Sequence, residues 1–192
     1  MKNLKKRYQP AWLSDHICWS AYQGRYHHDL LPLPYTQEAL GHLVAKVNQV
    51  QDIFNESILL ENLSDYIEFK SSEMKEWEFN RELALQTDAN LLLDINNIWV
   101  NSVNHGFDPL IYFENTPMDK VKQIHLAGPT ESDGVLIDTH GSKVDDKVVN
   151  LFKSVVSQWG KIPAMIERDN NLPSFEDLNK ERILIEQVHS GS

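Results

Sequence analysis

Residues 90–97 read NLLLDINN, a run of three leucines that ends in an aspartate and two asparagines. A run this short, bounded by polar residues, is typical of a strand that is buried on both faces of a parallel sheet. Four other segments have the same form, an apolar run followed by a charged or imidazole side chain: residues 11–16, 57–61, 121–125 and 162–167. We therefore predict five strands, each ending on a polar side chain.

The segments between these strands show helical spacing. After Thr36, which suits the N-terminal cap of a helix, apolar side chains repeat at three- and four-residue intervals up to Phe54. Similar stretches lie near residues 73–86, near residues 148–156, and after Ser174. Strands that alternate with amphipathic helices predict an α/β fold, built from βα units around a parallel sheet. We interpret residues 1–192 as a single domain of the α/β barrel type.

Two connections lack a helical or strand pattern and are predicted as loops. Residues 24–34 contain two adjacent histidines and two prolines, and we interpret both histidines as solvated loop residues. The second loop contains Gly106 and Pro109 and precedes the strand that starts at residue 121.

Composition bounds the size and the partners of the protein. The chain has 192 residues, whereas a complete eight-stranded α/β barrel usually takes roughly 250, so a barrel here would be incomplete. The net charge of -10 argues against a nucleic-acid surface, which needs a basic stripe over the phosphates. No apolar stretch approaches the ~18 residues of a membrane span, and no apolar run follows the basic N-terminus as in a signal peptide. These features predict a cytoplasmic protein with no nucleic-acid or membrane partner.

The polar side chains at the strand ends are predicted to meet. Active-site groups of helix-covered parallel sheets collect at the carboxyl ends of the strands. A charged side chain directly after a buried run costs several kcal/mol unless it is paired or binds a metal. Five such positions at one rim therefore predict a shared cation. The predicted ligands are His16, Glu61, Asp94, Asn97, His125, Asp138, His140 and Glu167.

The size and composition of this ligand set predict a cluster of ions. Eight ligands exceed the needs of one transition ion, so we predict two or three ions bridged by carboxylates. Imidazole mixed with carboxylate suits iron, zinc or manganese, and the lack of thiolates disfavours a structural zinc site. Asp138 and His140 lie two residues apart, hence on one side of an extended segment. Asp94 and Asn97 lie where a strand is expected to turn into a loop.

Each of these residues taken singly also has an ordinary structural explanation. Glu61 or Asp94 at a strand end is typical of a helix cap or a loop anchor, and His125 of a hydrogen-bonded core histidine. His105, in the segment NHGFD at residues 104–108, could support the metal ligands, face a substrate or mark a turn. The coincidence across five strands favours the metal centre over these separate explanations.

Eight motifs carry a resemblance to a known family. They are SDHICWS (14–20), DLLPLPY (29–35), LEN (60–62), LLDINN (92–97), NHGFD (104–108), HLAG (125–128), DTHG (138–141) and IERD (166–169). Together they resemble the multinuclear non-heme iron-dependent oxidative enzymes, a bacterial family long known only as a conserved domain. The resemblance implies a xylose-isomerase-like TIM barrel from which about the first two βα units are absent here. A homo-oligomer that closes such a gap is one explanation, and a truncated product or a fragment are the others.

The resemblance also implies a function. Members of that family use two or three irons and dioxygen to modify residues, mainly cysteines, in ribosomally made precursor peptides, often with a partner protein that delivers the peptide. It implies iron as the cofactor, with zinc or manganese as the alternative, and the same eight residues as ligands. Glu61 or Glu167 would bridge the irons, and Asn96 competes with Asn97 as a ligand. No catalytic residue is predicted beyond the ligands.

Two other functions stay open at this point. Related barrels use similar ligand sets with zinc, manganese or magnesium, which makes a divalent-metal isomerase or phosphoesterase the alternative enzyme. A non-catalytic remnant that folds or dimerises but binds metal poorly is the third hypothesis. The identity and the number of bound metals separate the three.

Overall fold

The computed structural model describes residues 1–191. The helices are α1 (Lys2–Tyr8), α2 (Gln37–Phe54), α3 (Glu76–Thr87), α4 (Ile95–His105), α5 (Pro109–Asn115), α6 (Asp146–Trp159) and α7 (Phe175–Ser190). The strands are β1 (Ser14–His16), β2 (Trp19–Tyr22), β3 (Arg25–Leu31), β4 (Leu59–Glu61), β5 (Asn90–Asp94), β6 (Val121–Leu126), β7 (Thr130–Ser132), β8 (Val135–Ile137) and β9 (Ala164–Ile166).

Five of the strands form one parallel sheet in the order β1-β4-β5-β6-β9. This order follows the chain, and every connection between neighbouring strands contains a helix. Because crossovers between parallel strands are right-handed, sequential connections of this kind put their helices on the same face of the sheet. The fold is therefore α/β and TIM-barrel-like, as predicted. Within residues 1–191 the sheet does not close into a barrel.

The two faces of this sheet differ in chemistry. Paired residues of parallel strands point to the same face, so the register groups His16 with Glu61 and Leu92, and Asp94 with His125. Leu92 and Asp94 are two residues apart, and hence all five side chains share one face, which we call the inner face. The alternate side chains join the hydrophobic core together with the helices. They are Ile58, Leu60, Leu91, Leu93, Ile124 and Leu126.

The long helices begin and pack as predicted. At the start of α2, Thr36 Oγ1 accepts a hydrogen bond from a backbone N–H of the first turn (3.1 Å). Leu40 and Val47 of this helix are buried in the core. α7 follows Ser174, whose hydroxyl accepts a hydrogen bond from the backbone N–H of Asp177 (3.1 Å). Among residues 1–191, no helix combines the length and the apolar character that crossing a membrane requires.

The prediction of a loop at residues 24–34 is wrong for most of that segment. β2 and β3 form an antiparallel hairpin around Gln23 and Gly24, whose φ angles of 50° and 76° suit a tight two-residue turn. The side chains of this hairpin are almost all exposed, so the apolar alternation that signals a strand is missing. His27 is exposed, as predicted, and its ring packs edge-on against Trp19 (ring centroids 5.4 Å apart).

The loop predicted around Gly106 and Pro109 is flanked by two helices that the sequence analysis missed. α4 ends at Gly106 with a φ of 72°, and α5 begins at Pro109 behind the capping side chain of Asp108. At the other end of α4, Asp94 Oδ1 accepts a hydrogen bond from the Asn97 N–H (2.8 Å). The strand β5 therefore turns directly into a helix, and not into a loop.

Candidate metal centre

Four strands deliver one side chain each to a single point on the inner face. Glu61 and Asp94 end β4 and β5, His125 is the penultimate residue of β6, and Glu167 directly follows β9. One ligand atom from each of the four lies within 4.8 Å of those of the other three. Asp94 has no exposed surface, and Glu61 and His125 are also buried. This group of four combines carboxylates with an imidazole in the way that the strand-end argument predicted.

A second group of three adjoins the first. It consists of His140, Glu167 and Asp169, whose ligand atoms also lie within 4.8 Å of one another. Glu167 belongs to both groups, so the two groups share a carboxylate. Asp169 was not among the predicted ligands. The signal for it was present, because Asp169 follows Glu167 at a distance of two residues within the motif IERD.

The contacts between histidines and carboxylates are short. His125 Nδ1 lies 3.1 Å from Glu61 Oε1 and 3.0 Å from Glu167 Oε2. His140 Nδ1 lies 3.3 Å from Asp169 Oδ2 and 3.6 Å from Glu167 Oε2. The Nδ1 atoms of His125 and His140 thus lie close to carboxylates of other segments. Neither atom is aligned for a hydrogen bond with them.

Unsatisfied buried atoms concentrate in this region. Within residues 1–191, nine buried side-chain nitrogen or oxygen atoms lack a hydrogen-bond partner, and six of them lie here. The six are Asp94 Oδ2, Asn96 Oδ1, Asn97 Oδ1, His125 Nδ1 and both ring nitrogens of His140. Because buried polar atoms are nearly always satisfied, a cluster of exceptions requires an explanation. A shared cation supplies one, since it takes the lone pairs of imidazole, carboxylate and amide groups alike. The residues present therefore fit a metal.

Shifted pKa values report the same crowding. Burial acts to lower the pKa of His125, but contacts with Glu167 and a second carboxylate outweigh burial and raise this pKa to about 10. Burial likewise opposes the effect of Asp138 on His140, whose pKa rises to about 9. Removal from water raises the pKa of Asp94 to about 8. Protons thus balance the charge of the cluster, and a bound cation would displace them.

A model of the family described as "RiPP precursor modification enzyme MbnB/TglH/ChrH" matches residues 1–190. The chain belongs to this family. The resemblance that the motifs indicated is thereby confirmed. RiPP enzymes of this description act on ribosomally made precursor peptides, which is the activity the family description names.

The curated relatives give no activity in their names. A UPF0276 protein of Anaeromyxobacter sp. (strain Fw109-5) is 45% identical over 192 residues, covering 100% of this chain and 68% of the relative. A UPF0276 protein of Acaryochloris marina is 44% identical, covering 94% of this chain and 66% of the relative. A third, from Caulobacter vibrioides, is 45% identical and is covered over 64% of its length. The chain thus spans about two thirds of the length of these family members.

Two of the predicted ligands lie in the segment that follows β8. Asp138 and His140 follow β8, and His140 has a φ of 47°, so the prediction of an extended segment there is wrong. The two side chains nevertheless meet, with Asp138 Oδ1 lying 2.6 Å from His140 Nε2. A left-handed residue is uncommon outside glycine and is often found at functional sites. Here it turns the chain so that His140 also reaches Asp169.

The remaining predicted residues lie at the edges of the cluster. His16 ends the edge strand β1 with its Nε2 3.4 Å from Glu61 Oε2. Asn97 donates from Nδ2 to the backbone carbonyl of Asn62 (3.1 Å), whereas Asn96 donates to Asp138 Oδ1 (2.7 Å). Both asparagines leave a buried Oδ1 without a partner. Asn97 therefore stays a prediction, with Asn96 as its neighbour and alternative.

Proposed function

We propose that this chain carries a multinuclear iron centre with which it oxidatively modifies a cysteine residue of a ribosomally made precursor peptide. The observation that carries this proposal is the convergence of three carboxylates and one imidazole at the ends of four strands, extended by a second group through the shared Glu167. Family membership supplies the substrate class, a precursor peptide. A partner protein that delivers the peptide is part of the same proposal.

The residues divide between the ions as follows. Glu61, Asp94, His125 and Glu167 would hold one ion, and His140 and Asp169 would hold a second together with Glu167. Bound iron would supply one-electron redox chemistry and the activation of dioxygen. Zinc or manganese suits the same nitrogen and oxygen donors, and is the alternative that metal analysis must address.

A third position is proposed beside the first. His16 contacts Glu61 from the edge strand, and Asp138 contacts His140 from the segment after β8. His16 would add a ligand on the side of Glu61, and Asp138 would add one on the side of His140. The eight ligands of the sequence analysis are retained in this proposal, with Asp169 added.

The chain itself binds, orients and shields the reacting groups. Asp94 and Asn96 have no exposed surface, so water is excluded from the floor of the site. In contrast, the side chains of His16, Glu167 and Asp169 are 37%, 29% and 61% exposed. This difference leaves one side of the centre open, which a peptide substrate requires. A polar floor and an open rim are typical of sites at the carboxyl ends of parallel strands.

Metal content tests the proposal first. Protein purified without oxygen and supplied with ferrous iron is expected to hold two or more irons per chain, measured by elemental analysis together with the oligomeric mass. Oxygen consumption should then depend on a cysteine-containing precursor peptide, and the same peptide with serine in place of cysteine is the matched control. Oxygen-independent turnover with zinc would support the isomerase or phosphoesterase alternative. Substoichiometric metal after reconstitution would support a non-catalytic remnant.

A further inference from the structure

The motif NHGFD at residues 104–108 takes no part in the metal centre described above. Two of its residues have local explanations, since Gly106 ends α4 in a left-handed conformation and Asp108 caps α5. Asn104 and His105, the last two residues of α4, have none. Their side chains reach away from the helix in two directions, to two different segments of the chain.

Asn104 holds the hairpin that leads to Asp138. Its Oδ1 accepts the backbone N–H of Leu136 (2.9 Å), and its Nδ2 donates to the carbonyl of the same residue (2.8 Å). Leu136 lies in β8, whose only strand partner within residues 1–191 is β7. An amide side chain has the same donor and acceptor as a peptide group. Asn104 therefore pairs with the outer edge of β8 as a further strand would.

His105 holds a second segment, residues 62–66. Its Nε2 contacts the carboxylate of Asp65 and lies 3.0 Å from the backbone carbonyl of that residue. Asp65 is 5% exposed, and its backbone N–H donates to Asn101 Oδ1 (2.8 Å), one turn earlier in α4. The end of α4 thus fixes both the side chain and the backbone of Asp65.

The two segments meet at Asp138. Ser64 Oγ donates to Asp138 Oδ2 (2.9 Å), and the backbone N–H of Asp138 donates to the hydroxyl of Tyr66 (2.9 Å). Ser64 and Tyr66 flank Asp65, so they depend on the contact with His105. The chain on the other side of Asp138, from β8, depends on the contact with Asn104. One helix end therefore anchors both sides of a predicted metal ligand.

We propose that Asn104 and His105 are positioning residues for the part of the metal centre formed by Asp138 and His140, an inference that rests on the proposed function. Asp138 and His140 lie outside the five-stranded sheet, and the backbone of His140 is left-handed, so strand pairing does not fix them. The contacts of Asn104 with Leu136 and of His105 with Asp65 replace that pairing. The group of four at the strand ends, in contrast, is fixed by the sheet itself and does not need them.

The test compares Asn104→Ala with Asn115→Ala. Asn115 ends α5 and also donates from Nδ2 to a backbone carbonyl (2.8 Å). Within residues 1–191 it hydrogen-bonds to neither β8 nor residues 62–66, which makes it the matched control. Two quantities are measured: amide hydrogen exchange of the metal-free proteins, and the affinity of each bound ferrous ion. Removing a residue that supports metal ligands typically lowers metal affinity by about 10–100-fold.

For Asn104→Ala we expect faster exchange within residues 130–141 and unchanged exchange in β4 and β5. We also expect one iron to bind at least about tenfold more weakly, while the tightest iron is retained. Asn104→Asp, which keeps the acceptor for Leu136 N–H but sets a carboxylate oxygen against the Leu136 carbonyl, should give a change in the same direction. It also decides the question if the alanine variant does not fold.

Three outcomes would overturn the inference. They are wild-type exchange in residues 130–141, an equal acceleration across the whole sheet, and an equal weakening of all irons. A wild-type protein that takes up no iron refutes the proposed function instead. The exchange measurement then still confirms or refutes that the end of α4 holds residues 130–141, because it uses metal-free protein.

Discussion

Glu76 is a buried acid outside the metal centre, and its replacement by glutamine should change how stability depends on pH. It lies at the start of α3, where Oε1 accepts a hydrogen bond from the Tyr112 hydroxyl (3.0 Å) and Oε2 from Asn101 Nδ2 (3.1 Å). Both donors are neutral. Removal from water raises the pKa of Glu76 from 4.5 to about 8, and the charge of Asp65 adds to this effect.

The direction of the effect follows from linkage. The folded-state pKa lies above the unfolded value, so the contribution of Glu76 to stability is fully present below pH 4.5 and is lost as the pH rises to about 8. Each tenfold change in an acid constant is worth about 1.4 kcal/mol, so a pKa moved this far corresponds to roughly 5 kcal/mol at most. Because buried sites relax when they ionise, we expect a measured loss of about 2–5 kcal/mol.

Urea unfolding of metal-free protein at several pH values tests this expectation. Near pH 4.5 the variant Glu76→Gln should be close to wild type, because a neutral acid and an amide make similar hydrogen bonds. Above pH 8 the variant should be more stable by about 2–5 kcal/mol. Glu114→Gln, on the exposed side of α5, is the control and should follow wild type throughout. Parallel curves for wild type and Glu76→Gln would refute the argument that burial keeps this acid neutral.

Three further predictions concern the metal centre and its support. Glu167→Gln should weaken metal binding at both groups, measured by metal content. The control Glu176→Gln, in the exposed first turn of α7, should not change the metal content. Loss of one ion alone would contradict the interpretation of Glu167 as a shared ligand. His140→Ala should remove at least one metal while the metal-free protein still folds, with some loss of stability because the imidazole no longer offsets the nearby carboxylates, and a full metal complement would contradict its assignment. Arg168→Met should lower the free energy of unfolding by about 3–5 kcal/mol, because it leaves the buried Glu181 carboxylate unpaired. Adding Glu181→Gln should restore most of that loss, and a double variant as unstable as the single one would contradict this reasoning.

The parts of the fold that could be predicted are those where one local pattern matches the tertiary environment. β6 was predicted at residues 121–126 and occurs there, because its apolar residues Val121, Ile124 and Leu126 are buried in the hydrophobic core. α4 was missed because several of its buried residues are polar. Asparagine has a low helix propensity, and Asn96, Asn97 and Asn101 are buried in this helix. Their amides bond to loops and to other polar side chains, so burial does not follow apolar periodicity here.

The candidate site was predictable to the extent that the sheet creates it. Side chains at strand ends meet whenever the strands are parallel and in register, and Glu61, Asp94 and His125 follow this rule. The contributions of His140 and Asp169 depend on a left-handed residue and on hydrogen bonds between distant loops. Those features arise from tertiary contacts that no spacing in the sequence encodes. The spacing of Asp138 and His140 indicated that these two side chains meet, but it did not place them beside Glu167, and Asp169 was not predicted although it follows Glu167 by two residues.

The alternation of side chains along each strand explains how one sheet carries both a hydrophobic core and a polar centre. Side chains alternate between the faces of a strand, so a single charged residue after an apolar run reaches the inner face, while its neighbours pack under the helices. Such a cluster of carboxylates is costly unless cations offset it. In the metal-free chain the protonated imidazoles of His125 and His140 can do so, because their pKa values are raised to about 10 and about 9. Metal ions would take over the same role while releasing these protons, so the residues that permit folding without metal are also those that metal must deprotonate.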